Sequence, residues 1–79
     1  MKSMALWEVA KAVLEKFGNV EIQEEPEYGG WYIFIQQSEE YYLYISPKGE
    51  IQGCAVDSPD VPLFSLEEAL DWLNENITK

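Results

Sequence analysis

The sequence contains no histidine, no arginine and a single cysteine, and these absences remove several classes of enzyme chemistry. A serine nucleophile in a catalytic triad gives its proton to a histidine, which this chain cannot supply. A cysteine nucleophile needs a neighbouring base or cation to form its thiolate, so we expect Cys54 to be an inert thiol, buried or half-buried in a strand. We therefore predict that the protein is not an enzyme.

Metal and cofactor sites are also not expected, although carboxylates are abundant. Pairs such as Glu24-Glu25 and Glu39-Glu40 are typical of a solvated surface. A thin domain offers little cleft in which two carboxylates could converge on a metal ion or a sugar. Gly29-Gly30 precedes a strand pattern and not a helix, which indicates a turn instead of a phosphate-binding loop. We predict no cofactor and no metal ion.

The charge balance is strongly acidic, with 15 Asp and Glu against 5 lysines and a formal net charge of −10 at pH 7. Direct nucleic-acid binding is not expected, because it requires several Lys or Arg contacts to phosphates. The acidity has two interpretations, recognition of a basic protein partner or simple solubility. No apolar run approaches the ~20 residues of a membrane helix, and one unpaired cysteine is typical of a reducing compartment. We predict a cytoplasmic protein that does not bind membranes.

Length and hydrophobic spacing predict one small acidic domain, residues 1–79, of the α+β class. Apolar residues recur at helical spacing over about residues 4–17, and again after the capping-box sequence Ser65-Leu66-Glu67-Glu68. Pro59 and Pro62 predict an irregular connection before the second helix. Alternating residues between the helices predict four strands, at about residues 20–25, 31–36, 40–46 and 51–56. The expected fold is a two-layer, four-stranded antiparallel β-meander with an N-terminal and a C-terminal helix packed on one face, in the order α-β-β-β-β-α.

The second and third predicted strands hold six aromatic residues between Trp31 and Tyr44. Because side chains alternate between the faces of a strand, one face should meet the helices and form the core, with Trp31, Ile33, Ile35, Tyr41, Leu43 and Ile45. Val20, Ile22, Ile51 and Ala55 from the neighbouring strands should complete this core. A three-residue hairpin loop, Gln37-Ser38-Glu39, would place four other aromatics in cross-strand pairs on the opposite face, Phe34 with Tyr42 and Tyr32 with Tyr44.

These four aromatics are the centre of a predicted protein-binding site. Glu21 and Glu25 of the first strand lie beside them on the same face. Trp72 is added because it sits on the flank of the apolar stripe of the second helix, although covering the edge of the core is its alternative role. Tyr and Trp are enriched at protein interfaces and dominate their energetics. The alternative for the whole patch is an aromatic face that only stabilises the sheet.

The predicted function is a non-enzymatic protein–protein interaction module with a basic partner. A sharper hypothesis is an acidic inhibitor, or a nucleic-acid-mimicking decoy, of a basic nucleic-acid-binding protein or nuclease. Immunity proteins and phage-encoded inhibitors of host defence resemble the chain in size and acidity, without a shared motif. Two alternatives remain open, a homodimeric regulatory or structural protein assembled through the aromatic face, and a small-molecule-binding domain with a pocket of at least about 300 Å³.

Overall fold

The computed structural model of the chain describes residues 2–77, which form two helices and one sheet. The sheet is an antiparallel meander in which every strand pairs with its neighbours in sequence, so the predicted α+β class is confirmed. The elements are α1 (Lys2–Phe17), β1 (Val20–Glu24), β2 (Trp31–Ile35), β3 (Ser38–Ile45), β4 (Ile51–Ala55), β5 (Ser58–Leu63) and α2 (Leu66–Ile77).

The sheet has five strands, so the predicted count of four is wrong. The additional strand is β5, in the segment where Pro59 and Pro62 predicted an irregular connection. It pairs antiparallel with β4 from Ser58 opposite Ala55 to Leu63 opposite Ile51. Proline is tolerated on an edge strand, because an amide nitrogen that faces away from the sheet has no hydrogen bond to lose. The two prolines therefore mark a sheet edge and not the end of the sheet.

The hairpin between β2 and β3 is tighter than predicted, but its aromatic pairing is confirmed. β3 already begins at Ser38, which pairs with Ile35, so the connection has two residues instead of three. An irregularity in the register between Phe34 and Ile35 absorbs the difference. Beyond it Phe34 pairs with Tyr42, and Tyr32 with Tyr44.

One face of the sheet carries both helices, and the core lies between the two layers. α1 packs on β1 and β2, α2 packs on β3, β4 and β5, and the helices contact each other. Ile22, predicted to belong to the core, is 37% exposed because β1 is an edge strand that the helices cover incompletely. The largest fully buried side chains come from β2, β3 and the helices: Ile33, Ile35, Leu43, Ile45, Leu73 and Val13.

The start of α2 is capped by the side chains that the sequence indicated. The Ser65 hydroxyl accepts a hydrogen bond from the Glu68 amide at 3.1 Å. The Glu68 carboxylate reaches back to the amide of Phe64 at 3.2 Å, one residue before the Ser65 amide that a capping box would use. Both bonds satisfy backbone amides at the junction between β5 and α2, which would otherwise lack partners within the helix.

Candidate functional site

The sheet face opposite the helices carries a contiguous group of aromatic rings, Tyr32, Phe34, Tyr42 and Tyr44, which we call the aromatic face. The cross-strand pairs have ring centroids 5.1 Å apart for Phe34 and Tyr42, and 5.3 Å apart for Tyr32 and Tyr44. Tyr32 also contacts Tyr42 diagonally, at 5.9 Å with the ring planes at 70°. All four side chains are half-buried. The structure thus brings together the four aromatics of the predicted site.

Acidic side chains border the aromatic face on both sides. On β1, Glu21 pairs with Phe34, and Glu25, just beyond the strand, is hydrogen-bonded to the hydroxyl of Tyr32. On β5, Asp60 acts on the thiol of Cys54 and on Tyr42 through its charge. None of the five strands contains a lysine. The charges contributed to this face by the strands are therefore all negative.

Glu25 holds the loop between β1 and β2 in place. Its Oε1 accepts hydrogen bonds from the amides of Glu27 at 2.6 Å and Tyr28 at 3.4 Å. Its Oε2 accepts the hydroxyl hydrogen of Tyr32 at 2.7 Å. The Glu27 amide contributes most to lowering the pKa of Glu25 below its ordinary value, because these bonds favour the charged carboxylate. The same contact with Glu25 raises the pKa of Tyr32 to about 12, since a phenolate there would lose its hydrogen bond and face a negative charge.

Tyr44 ties the same loop to β3. Its hydroxyl donates a hydrogen bond to the carbonyl oxygen of Gly29. The chain passes so close at Gly30, which has φ of 85°, that a Cβ there would collide with the carbonyl oxygen of Ile45 and lie 2.6 Å from the Tyr44 hydroxyl. The hydroxyls of Tyr32 and Tyr44 thus help to position the loop, while the rings contribute to the aromatic face.

Cys54 is the fourth of the five residues of β4, on the same side of the sheet as the aromatic face, and is only 4% exposed. It pairs with Tyr42 across the strands. Burial, together with the charge of Asp60 and a hydrogen bond to it, raises the pKa of the thiol to about 12, so the sulfur stays protonated at neutral pH. Burial also raises the pKa of Tyr42, with smaller contributions from Cys54 and Asp60.

Trp72 is the predicted site residue that the structure keeps apart from the others. Its ring lies on the helix-covered side of the sheet, directly over Gly53 of β4. It contacts Tyr41 edge to face, with ring centroids 5.8 Å apart. The space left by the missing side chain of Gly53 allows the indole to approach the sheet. Trp72 therefore packs at the edge of the core, the alternative role that its position on the flank of α2 had suggested.

Asp60 and Tyr28 lie beside the aromatic face and were missed by sequence reasoning, as were two exposed aromatics elsewhere on the molecule. Asp60 was missed because β5 was not recognised as a strand, so alternation was not applied to it. The exposed aromatics Trp7, Tyr28 and Phe64 are 66%, 78% and 83% exposed. Tyr28 stands in the β1–β2 loop beside the aromatic face, Phe64 at the junction of β5 and α2, and Trp7 on α1. The position of Trp7 outside the apolar stripe of α1 was a usable signal, whereas nothing in the sequence orients Tyr28 or Phe64.

Two open depressions flank the Phe34–Tyr42 pair. One, of about 300 Å³, has rings of Tyr32, Tyr42 and Tyr44 in its lining, between the carboxylates of Glu25 and Asp60. The other, of about 690 Å³, lies towards the β2–β3 turn and is lined in part by Glu21, Phe34 and Glu39. Their volumes meet the size condition of the small-molecule alternative, but both are open to solvent, whereas small-molecule sites enclose most of their ligand.

Within residues 2–77, no group of three or more His, Cys, Asp or Glu side chains is arranged to hold a metal ion. Neither of the described helices has the length and apolar composition needed to cross a membrane. No protein-family model, curated protein or solved structure matches the chain.

Proposed function

We propose that this chain is a non-enzymatic protein-interaction module that binds a protein with a basic surface through the aromatic face. The proposal rests on one observation, an uncovered sheet face that combines contiguous aromatic rings with carboxylates and has no strand lysine. Aromatic rings provide the buried centre of an interface, and complementary charges at its rim select the partner. The carboxylates of Glu21, Glu25 and Asp60 favour a cationic partner.

The size of the aromatic face suits the centre of an interface and not the whole of it. Because all four side chains are half-buried, their rings together expose at most roughly 200–350 Å², which is near the lower end of the largest apolar patches on typical monomers. A standard interface covers about 800 Å² on each partner. The acidic strands and the loop carrying Tyr28 would supply the remaining contact area, with the rings as the energetic centre.

A foreign partner is favoured over a second copy of this chain. In a symmetric dimer, the same surface of both copies meets across a two-fold axis. Joining two aromatic faces in this way would bring the carboxylates of Glu21, Glu25 and Asp60 of each copy close to those of the other. Like charges at an interface are strongly unfavourable, and each copy carries a formal net charge of −10.

A more specific version of the proposal is that the chain inhibits a nucleic-acid-binding protein or a nuclease. Proteins that bind DNA or RNA present lysines and arginines to phosphates, so they offer the basic surface that this face would require. Competition with DNA or RNA for the partner distinguishes binding at the partner's nucleic-acid site from binding at another basic surface. A decoy would be displaced by increasing amounts of DNA or RNA, whereas a module that binds another basic surface would stay bound.

The proposal is tested by affinity capture from a cell lysate of the native host, followed by binding measurements with the captured protein after purification. The test variant is Phe34→Thr with Tyr42→Thr, which removes two rings while keeping residues that favour strands. The matched control is Trp7→Gln, which removes an exposed ring from α1, on the other side of the molecule. Thermal unfolding of both proteins checks that the variants are folded.

We expect the captured protein to be basic. Its affinity for the double variant should be at least tenfold lower than for the original protein, because losing a central aromatic contact costs 2 kcal/mol or more, which corresponds to roughly 30-fold in affinity. The control should bind like the original protein, and affinity should fall steeply as salt is raised. An acidic partner, equal affinity of the double variant and the original, or binding unchanged by salt would each contradict the proposal. Light scattering of the free protein tests the dimer, and a stable dimer disrupted by the double variant would favour that alternative.

A further inference from the structure

We propose that the depression between Glu25 and Asp60 receives an arginine side chain of the basic partner, a specific contact that rests on the proposed function. Rings and carboxylates converge here in the arrangement that a flat cation requires. Its lining includes three tyrosines, two acidic residues and one glutamine: Tyr32, Tyr42, Tyr44, Glu25, Asp60 and Gln52. With a volume of about 300 Å³, the depression has room for a guanidinium group and the end of its aliphatic stem.

The tyrosine rings that line the depression are tilted relative to one another. Tyr32 meets Tyr44 with ring centroids 5.3 Å apart and planes at 51°, and it meets Tyr42 at 5.9 Å and 70°. All three side chains are half-buried and not fully buried, so part of each ring remains available to a ligand. A guanidinium within about 6 Å of a ring centroid is attracted by the negative potential of the ring surface.

The carboxylates at the two sides of the depression supply the opposite charge. Among the side chains that the structure describes, Tyr32 is the one donor in contact with Oε2 of Glu25, which leaves a lone pair on that oxygen for a further donor. Its bonds to loop amides lower its pKa, so it is charged at neutral pH. Asp60 faces the protonated thiol of Cys54, a weak donor that leaves most of its accepting capacity unused. The two carboxylates therefore bracket the tyrosine rings with negative charge.

Arginine fits this arrangement better than lysine or a small quaternary ammonium ion. Its guanidinium is planar, stacks on aromatic surfaces and presents five donors that can reach carboxylates on different sides. A lysine ammonium is more strongly hydrated and more compact, and has three donors. Quaternary ammonium ions are bound in aromatic cages, whereas this depression is open to solvent on one side.

The test compares two fluorescently labelled peptides of equal charge, octa-arginine and octa-lysine, in anisotropy titrations at near-physiological salt. The original protein is compared with Asp60→Asn and Tyr42→Leu. The control is Glu15→Gln, which removes the same charge as Asp60→Asn from the exposed surface of α1. Backbone amide shifts in NMR spectra then locate each peptide on the protein, and thermal unfolding establishes which variants are folded.

We expect octa-arginine to bind the original protein and Glu15→Gln at least about threefold more tightly than octa-lysine, in line with the strength of exposed cation–π contacts. The ratio should fall to about one in both site variants, and the largest shifts should fall at Tyr42, Tyr44 and Gln52. Should Tyr42→Leu fail to fold, Asp60→Asn decides the result alone.

Equal affinity for the two peptides, or a preference that survives Asp60→Asn, would overturn the arginine site. The position of the shifts separates this failure from failure of the proposed function. Equal binding of both peptides with shifts on the aromatic face would leave the docking proposal in place and remove only the arginine contact. Shifts confined to the helices would argue against the aromatic face as the binding surface, and so against both proposals.

Discussion

Gly53 is the position at which a single added methyl group most directly tests the packing described above. It is a buried residue of β4, in register with Leu43 of β3 and Val61 of β5. A Cβ built at this position lies 2.9 Å from Cδ2 and Cε2 of Trp72 and 3.0 Å from Cε3. Gly53 is not among the glycines with positive φ, so its backbone conformation is open to other residues. Glycine is required at position 53 because the indole of Trp72 occupies the space that a side chain would need.

We therefore predict that Gly53→Ala lowers stability through Trp72. Overpacking of this kind costs about 1–3 kcal/mol, and replacing a glycine within a strand returns about 0.5–1 kcal/mol. The net loss should be about 1 kcal/mol, which lowers Tm by about 4–8 °C in a domain of this size. In a Trp72→Leu background the collision is removed, so the same substitution should instead stabilise the protein by about 0.5 kcal/mol.

The measurement is a double-mutant cycle by urea unfolding of the original protein, both single variants and the double variant. The coupling free energy between the two positions should be about 1.5 kcal/mol, the difference between the two expected effects of Gly53→Ala. If Gly53→Ala destabilises the protein equally with Trp72 or Leu at position 72, the explanation by the indole is wrong. The cycle also tests the position of Trp72, since an indole outside the core would show no coupling.

Three further predictions concern titrating groups, Glu25, Tyr32 and Cys54. The pKa of Glu25 is lower in the folded protein than its ordinary value of 4.5, so the charged carboxylate stabilises the fold above pH 4.5, and this stability is lost as the pH falls through the lowered pKa. The Glu25→Gln variant lacks this carboxylate. In urea unfolding at a series of pH values, it should therefore lose less stability on acidification than the Glu24→Gln variant. Removing that carboxylate should also bring the Tyr32 pKa down from about 12 towards 10.0 in an ultraviolet titration; an unchanged titration would mean that the bond is not formed in solution. For Cys54, a pKa of about 12 against the ordinary 9.0 makes the thiolate about a thousandfold rarer, and burial blocks access. Reaction with a thiol-specific disulfide reagent at pH 8 should thus be slow when folded and fast in guanidinium, and equal rates would contradict the burial of the thiol.

Most of the fold follows from local patterns that act over a few residues. The apolar stripe of α2 and the Ser65 cap mark that helix, and alternation in β2 and β3 separates core from open face. β5 could not be found in this way, because two prolines in six residues are unfavourable in a paired strand unless it lies at an edge. Whether a strand is at an edge depends on the complete sheet, which local propensity does not contain.

The candidate site was predictable to a similar degree. Alternation correctly predicted that the four aromatics share one face of the sheet. The predicted cross-strand pairs are also correct although the loop is one residue shorter than predicted, because the irregularity between Phe34 and Ile35 compensates for the difference. Asp60 lies at the site because it belongs to β5, so a sequence analysis that does not predict β5 cannot include Asp60 either. Trp72 was assigned from its angle on the helix alone, which does not reveal that Gly53 leaves room beneath the indole.

The sequence by itself determined the acidic charge, the absence of histidine and arginine, the two helices and the two-faced aromatic hairpin, because composition and periodicity are properties of short segments. Only the tertiary structure decided how distant segments meet. It added a fifth strand that brings Asp60 to the aromatic face, and it turned Trp72 away towards Gly53. It also gave the hydroxyls of Tyr32 and Tyr44 partners in the β1–β2 loop. Such contacts depend on sheet order and on the space between layers, which are set when the whole chain packs.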